Sequence, residues 1–386
     1  MTIGELAQAG VLEFGDGYRT RKDELDETGF RILRAADVRD GYANLDGDDF
    51  VSMERAPKIG TKAAREGDVV LTTKGTVGRV ATVPALGEAV VYSPQLCYFR
   101  VRATDVLDAR FLRYWLRSPQ FQQQSSYLQG NTDMAPYISL RDLASTRMVL
   151  PTVDEQRRTG ELLGALDDKI EANRKLAATA DELCAAIVRE SQDSNRAERL
   201  GDVAEIVMGS SPPGKTMNED GEGVPFYQGV RDFGLRFPTR RVWTTAPTRT
   251  AHGGDILVSV RAPVGTVNYA PEPLCIGRGL AAVRSRTNQQ STLFHLLRSV
   301  RRAWAEYDSG GTVFGSINRD QLHNIEIPAI RSDAVARCEA EVHSVEQRLA
   351  SALRENESLA VLRDSVLPKL MSGQLRVAEA MEVVAL

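Results

Sequence analysis

The stretch Val153–Ser191, VDEQRRTGELLGALDDKIEANRKLAATADELCAAIVRES, decides how this 386-residue chain is read. Leu162, Leu163, Leu166, Ile170, Leu176, Ala177, Ala180, Leu183, Cys184, Ile187 and Val188 recur in it at spacings of three and four. That period keeps one apolar stripe along one side of a helix. Neither Gly nor Pro falls between Asp167 and Ser191, so nothing interrupts it. Residues 332–370 repeat the rhythm with Val335, Cys338, Val342, Val345, Leu349, Ala352, Leu353, Leu359, Leu362 and Val366. At 1.5 Å rise per residue each stretch makes a rod of roughly 50–60 Å. A rod that long cannot hide its stripe in one small core, and the economical solution is to bury the two stripes against each other. Each stripe also holds one amide, Asn173 and Asn356, placed where a lone polar residue can fix helix register.

Outward from the rods, the chain repeats itself. Residues 67–80, GDVVLTTKGTVGRV, reappear at 254–267 as GDILVSVRAPVGTV. Both copies read as strand, Gly-containing turn and strand, with a basic residue entering the turn. Upstream, residues 29–38 (GFRILRAADV) parallel 223–232 (GVPFYQGVRD). Downstream, Gly130-Asn131-Thr132, Ile138-Ser139, Arg141-Asp142-Leu143 and Pro151 parallel Gly310-Gly311-Thr312, Ser316-Ile317-Asn318, Arg319-Asp320 and Pro328. Each of the two prolines is expected to head a long helix. The order is a tandem duplication at an offset of ~180 residues, too long a period for a stacked solenoid. It divides the chain into a first lobe (1–150), a first rod (151–195), a second lobe (196–330), a second rod (331–375) and a tail (376–386).

Short β-like runs fill both lobes, at 69–73, 79–83, Val90–Tyr92, Leu96–Val101, 256–260 and 280–283, with helical patches at 109–116 and 293–307. The fold class is therefore α+β, two lobes in which a curved sheet presents loops. A short connection near 194–200 predicts antiparallel rods paired as a coiled coil, with the lobes related by pseudo-twofold symmetry. Such an arrangement suits an extended target read at two places, and duplex DNA has groove faces that recur at helical spacing.

Composition agrees with a globular chain of two or more domains, 42% hydrophobic. There is no run of eighteen apolar residues and no signal-peptide pattern at the start, so neither a membrane span nor export is expected. Cys97, Cys184, Cys275 and Cys338 lie far apart without C-x-x-C spacing, which fits a reducing cytoplasm. The net charge of −4 hides an asymmetry: residues 1–150 carry −1, 151–195 carry −4, 196–330 carry +3 and 331–386 carry −2. Only eight of the 48 basic residues are Lys. Arg is the side chain suited to bidentate recognition of phosphate and guanine.

The motif Gly209-Ser210-Ser211-Pro212-Pro213-Gly214-Lys215-Thr216 matches the phosphate-loop pattern letter for letter. That pattern works by opening a helix whose first N–H groups cradle phosphates. The following MNEDGEGVP cannot make that helix, and two prolines remove donors from the cradle. A nucleotide hydrolase centred on Lys215 is thus the weaker, enzyme-class alternative, and a coiled-coil adaptor that binds only protein is the structural one. Methyl transfer would need a donor-binding Gly loop and an Asn/Asp-Pro-Pro-aromatic site, and neither is present. Asp167-Asp168-Lys169 has nuclease-like letters but is expected on the solvated face of the first rod. His252, His295, His323 and His343 are scattered, without metal-ligand spacing. No catalytic set and no metal site emerges.

What stands out is polar, basic and aromatic material at turns. In the first lobe it is Arg34, Thr72, Thr73, Lys74, Arg79, Ser93, Gln95 and Asn131, and in the second Lys215, Tyr227, Gln228, Arg231, Ser259, Arg261, Arg278 and Thr312. Arg, Lys, Gln and Asn pair with base edges in the major groove. Ser, Thr and backbone N–H groups position phosphates. Loops are polar in most proteins, and the weight lies in the recurrence of one pattern in both copies.

The sequence resembles the specificity (S) subunit of type I restriction–modification systems. The likeness rests on GDILVSVRAPVG at 254–265 with its degenerate copy, MGSSPPGKTMNEDGEGVPFYQG at 208–229 and YISLRDL at 137–143. It continues through the Pro-headed LPTVDEQRR…LDDKIEANRKL at 150–176 and LRDSVLPKLMSGQLRV at 362–377, and so covers nearly the whole chain. The resemblance implies a non-catalytic subunit whose two target-recognition domains each read one part of a gapped, asymmetric double-stranded DNA sequence. It implies long helices that act as a ruler and dock methyltransferase (M) subunits, two of them, with a restriction (R) motor subunit joining for cleavage. Methyl donor, ATP and Mg would be bound by those partners and no cofactor by this chain. The first lobe departs from the pattern, with Thr72-Thr73-Lys74-Gly75-Thr76 at the turn.

Overall fold

The computed structural model describes residues 1–39, 41–128, 137–308 and 315–384. Its two longest elements are helices at Val153–Ser191 and Val335–Met371. Thr152 starts the first with a capping box: its backbone N–H donates to the Glu155 carboxylate at 3.0 Å and its hydroxyl accepts from the Glu155 N–H at 3.4 Å. Contacts gather the chain into two compact units, Met1–Ala172 with Glu355–Leu386, and Asn173–Arg354, so each contains one lobe and a share of both long helices.

In the first helix the buried seam includes Leu163, Leu166, Ile170, Asn173, Ala177, Ala180, Cys184 and Val188. Leu176 and Leu183, expected in the stripe, are 54% and 49% exposed. Each stands one residue before the seam, which at 3.6 residues per turn is a different face, and the small Ala177 and Cys184 occupy the seam instead. In the second helix Cys338, Val342, Leu349, Ala352, Val366 and Leu370 are buried. Within the first unit Leu163 packs with Val366, Leu367 and Leu370, Lys169 pairs with Glu355 at 3.4 Å, and Asn356 Nδ2 donates to the Ile170 carbonyl at 3.2 Å. Within the second, Ala177 and Ala180 meet Leu349, and Cys184 lies against the Val342 carbonyl. In each unit one segment's numbering rises as its partner's falls, so the paired segments run in opposite directions.

The lobes show why the repeat is there. In the first, one sheet runs in the order Leu12–Asp16, Leu96–Val101, Val69–Thr72, Val80–Thr82, Gly41–Tyr42, and a second in the order Leu25–Asp26, Phe50–Val51, Phe30–Leu33, Val90–Tyr92. In the second lobe the corresponding orders are Ala204–Met208, Leu280–Ser285, Ile256–Ser259, Val267–Tyr269, and Met217–Asn218, Trp243–Thr244, Val224–Tyr227, Leu274–Ile276, Thr250–Ala251. The parallel pairing of Phe30–Leu33 with Val90–Tyr92 recurs as Val224–Tyr227 with Leu274–Ile276. A helix covers each main sheet. Phe111, Leu112 and Trp115 of Ala109–Arg117 pack on Val69, Leu71 and Phe99, and Leu293, Phe294 and Leu297 of Gln290–Ser299 pack on Ile256, Val258 and Val283.

Three expectations are corrected. The helical patch at 293–307 is two helices, Gln290–Ser299 and Arg301–Asp308, broken at Val300. Pro328 does not head the second long helix but sits in the strand Glu326–Ile330. The supposed connection near 194–200 begins as a strand, Gln192–Arg199, antiparallel to that one. A chain leaving the first long helix is thereby stitched to the chain entering the second.

Two glycines mark where each lobe's chain passes close to itself. An ideal Cβ on Gly17 would lie 2.1 Å from the Ser93 carbonyl oxygen, and one on Gly209 would lie 2.1 Å from that of Gly277. Gly209→Ala is expected to cost about 1–3 kcal/mol, since the obstructing atom is backbone and cannot swing away. A lowered urea midpoint would show this, with Gly214→Ala, where nothing lies within 4 Å, unchanged as control.

Candidate nucleic-acid interface

Several turn residues singled out above converge where strands end. In the first lobe Ser93 N–H donates to the Leu33 carbonyl (3.0 Å), Thr73 N–H to that of Gln95 (2.8 Å) and Ile138 N–H to that of Thr73 (2.9 Å), while Lys74 bridges Tyr137. In the second Gly277 N–H donates to Tyr227 (2.8 Å), Val260 N–H to Gly279 (2.9 Å) and Ile317 N–H to Val260 (3.0 Å), while Arg261 bridges Ser316. The same four segments therefore form a row in each lobe. Arg34, Gln95 and Lys74 stand on or beside the first row, and Gln228, Arg278 and Arg261 on the second. All six are exposed.

Others of the set build the row from behind. Thr72 and Ser259 are buried, and their hydroxyls accept the Arg79 and Thr266 N–H groups at 2.9 Å, closing the turn the same way in both lobes. Thr73 and Ser93 are buried against Gln95, donating to its carbonyl (3.1 Å) and its side-chain oxygen (3.2 Å). Tyr227 is buried, and burial pushes its phenol up to about 12. These five shape the surface without presenting their side chains to solvent. Arg79 is half-buried and reaches the Val38 carbonyl at 3.4 Å, and Arg34 is paired with Asp49 at 2.6 Å. Lys215 and Arg231 are exposed on neighbouring turns. Asn131 and Thr312 lie outside the described residues. Ser211 was missed: its hydroxyl donates to Gln228 Oε1 at 2.8 Å and accepts the Arg278 N–H at 3.5 Å.

The family profile described as the type I restriction modification DNA specificity domain matches residues 1–180 and 196–329. The chain belongs to this family. A putative type I restriction enzyme MjaX specificity subunit of Methanocaldococcus jannaschii is similar to it, 26% identical over 393 residues that span 95% of this chain and 92% of the relative. The EcoBI specificity subunit of Escherichia coli is 27% identical over 172 residues, 42% of this chain and 32% of its own. A type I restriction–modification S subunit from M. genitalium has a similar fold, with a TM-score of 0.60, 18% identity and coverage of 96% and 95% of the two chains. The chain is thus a specificity subunit and not an enzyme.

The rest of this S subunit is consistent with that role. The phosphate-loop lookalike folds as one tight turn, Gly214–Thr216, followed by the two-residue strand Met217–Asn218. No helix opens after Lys215, so the N–H array that would hold phosphates is not built there. No helix among the described residues is long and apolar enough to cross a membrane. Asp167, expected on a solvated face, is largely buried. Its carboxylate accepts from Tyr114 (2.6 Å), Arg363 (2.7 Å), Arg117 (3.3 Å) and Arg113. In the second unit Asp181 receives Arg298 and Arg236, while Glu346 receives Arg236 (3.0 Å) and His295 (2.7 Å). Cys184 brings its sulfur within 4.8 Å of the His295 and Glu346 ligand atoms. Burial pushes that thiol up to about 12, and the Arg236 guanidinium and His295 imidazole both meet the Glu346 carboxylate.

Burial alone would raise the Asp181 carboxyl, but hydrogen bonds from Arg298 and Arg236 overcome it and hold the group at about 2. Asp167 and Glu346 are also lowered against the pull of burial, by Arg113 with Tyr114 and by His295 with Arg236. A lowered folded value means stability that is present above the unfolded carboxylate value of roughly 4 and lost as pH falls toward the folded one. Chemical denaturation at stepped pH is expected to show the midpoint falling between pH ~4 and ~2, with a flatter fall in Asp181→Asn.

Proposed function

We propose that each lobe reads one part of a gapped, asymmetric duplex sequence through its strand-end row. The observation that carries this is the recurrence of one backbone-bonded row in both lobes, with a cation, Lys74 or Arg261, entering the same turn. Around that shared frame the side chains differ. Pro94 and Gln95 occupy the first row where Arg278 and Gly279 occupy the second. Equivalent frames with unlike side chains suit two unlike half-sites, since base edges are distinguished by donor and acceptor pattern.

In this reading the long helices form an antiparallel coiled coil between lobes related by pseudo-twofold symmetry, and hold the two reading edges at a set spacing. Asn173 and Asn356 fix the helix register, which the Asn356 bond to the Ile170 carbonyl supports. Methyltransferase subunits, two per chain, dock along the helices, and a restriction subunit joins for cleavage. Those partners bind methyl donor, ATP and Mg, and the assembly works on DNA in the cytoplasm.

Arg261→Ala is expected to cost roughly 1–3 kcal/mol at one half-site, measured by binding of the assembled complex to duplexes altered in either half. Equal loss on every sequence would mark a phosphate contact instead. Removing one matched heptad from both long helices shortens the spacer by ~10 Å, about three base pairs of duplex axis. Mapping of methylated sites should then show a changed gap, and an unchanged one would end the ruler model.

A further inference from the structure

The second lobe sends one charge out of its sheet and into the helices. Arg236 lies in the turn bridged by Phe233 and Pro238, yet its side chain is only 1% exposed. The turn itself is tied to the edge strand Val267–Tyr269. Asn268 accepts the Gly234 N–H at 3.1 Å and donates to the Gly234 carbonyl at 2.9 Å, and Tyr269 N–H donates to the Arg236 carbonyl at 2.7 Å. From this fixed base the guanidinium reaches both long helices. Nε and Nη2 donate to Glu346 at 3.0 Å, and Nη2 also donates to Asp181. Nη1 donates to the Leu235 carbonyl at 3.2 Å, and the group lies 4.9 Å from the Phe294 ring centre.

The first unit meets the same need differently. There the cations on Asp167 come from helices alone, Arg113 and Arg117 of Ala109–Arg117 and Arg363 of the second long helix. Aligning Leu116-Arg117-Ser118 with Leu297-Arg298-Ser299 puts Phe294 where the first unit has Arg113. The helix of the second lobe carries no guanidinium at that position, and a loop of its sheet supplies one.

The geometry points to Arg236 as a positioning residue that sets the angle of the second reading edge on its helix pair, and through that angle the gap between half-sites. Apolar contacts also join this lobe to the helices, through Cys184, Val188, Cys338 and Val342. Those contacts are non-directional and tolerate small rotations. A buried guanidinium forked between two carboxylates does not, because its hydrogen bonds fix both distance and plane. Glu346 and Asp181 lie on different helices, so one side chain registers the sheet against both.

This inference rests on the proposed reading of gapped sites, and the test separates the two. The complex assembled with its methyltransferase subunits would methylate a duplex library in which both half-sites are kept and the gap is varied. Wild type should favour one gap; a wild-type complex without a two-part target would overturn the proposed function itself. R236M is expected to methylate the same half-site bases while accepting gaps about one base pair to either side, the smallest step of the duplex axis at ~3.4 Å. R236K, which keeps the charge, should recover part of the selectivity. N268A leaves the ion cluster in place but removes the two side-chain bonds of the turn's tie to the sheet, and should broaden the gap in the same direction, carrying the test if R236M does not fold. A single wild-type gap in the folded variants, or altered base preference in the second half-site, would overturn the assignment of Arg236.

Discussion

A carboxylate taken out of water has to be met by charge, and the long helices of this protein offer such carboxylates to the lobes they carry. Asp167 does so in the first unit, Asp181 and Glu346 in the second. Removing one partner of a buried pair typically costs about 3–5 kcal/mol, because the remaining charge is stranded. Misplacing a partner incurs part of the same penalty. Apolar packing makes each lobe adhere to its helices, and the ion clusters make one arrangement better than its neighbours. For the proposed presentation of two reading edges in a defined pose, that directional component matters more than the gross stability.

The long helices were legible because a three-and-four rhythm free of Gly and Pro has few other readings. What periodicity could not separate was the seam from the face beside it. Leu176 and Leu183 looked like core, yet the closer packing is made by Ala177 and Cys184, whose small side chains suit a tight seam. The duplicated strand–turn–strand segments were visible through their glycines and basic turn residues. The strand Gln192–Arg199 was not, since QDSNRAER neither alternates nor carries β-branched residues, and it forms only because Glu326–Ile330 lies beside it. Local pattern shows elements that are stable by their own composition and misses those created by a partner far along the chain.

The proposed reading edge divides in the same way. That Lys74 and Arg261 enter equivalent turns can be read directly from the aligned repeats. That Thr72 and Ser259 spend their hydroxyls closing those turns follows only from where the backbone N–H groups of Arg79 and Thr266 end up. The ion clusters had no signal at all, since Arg236 and Glu346 meet across 110 positions. The phosphate-loop letters at 209–216 are the converse case. The string is complete, but its chemistry belongs to a helix start that the following residues do not make.

One consequence follows from how the chain is parcelled. The second unit, Asn173–Arg354, is continuous, whereas the first joins Met1–Ala172 to Glu355–Leu386. Ala380 of the last helix, Val377–Val384, is buried in a cluster with Tyr114 and Leu163, which stand more than two hundred positions earlier. During synthesis the later-encoded unit therefore has all of its residues first. The earlier one waits on the ribosome with part of its apolar face open until the final segment emerges to cover it.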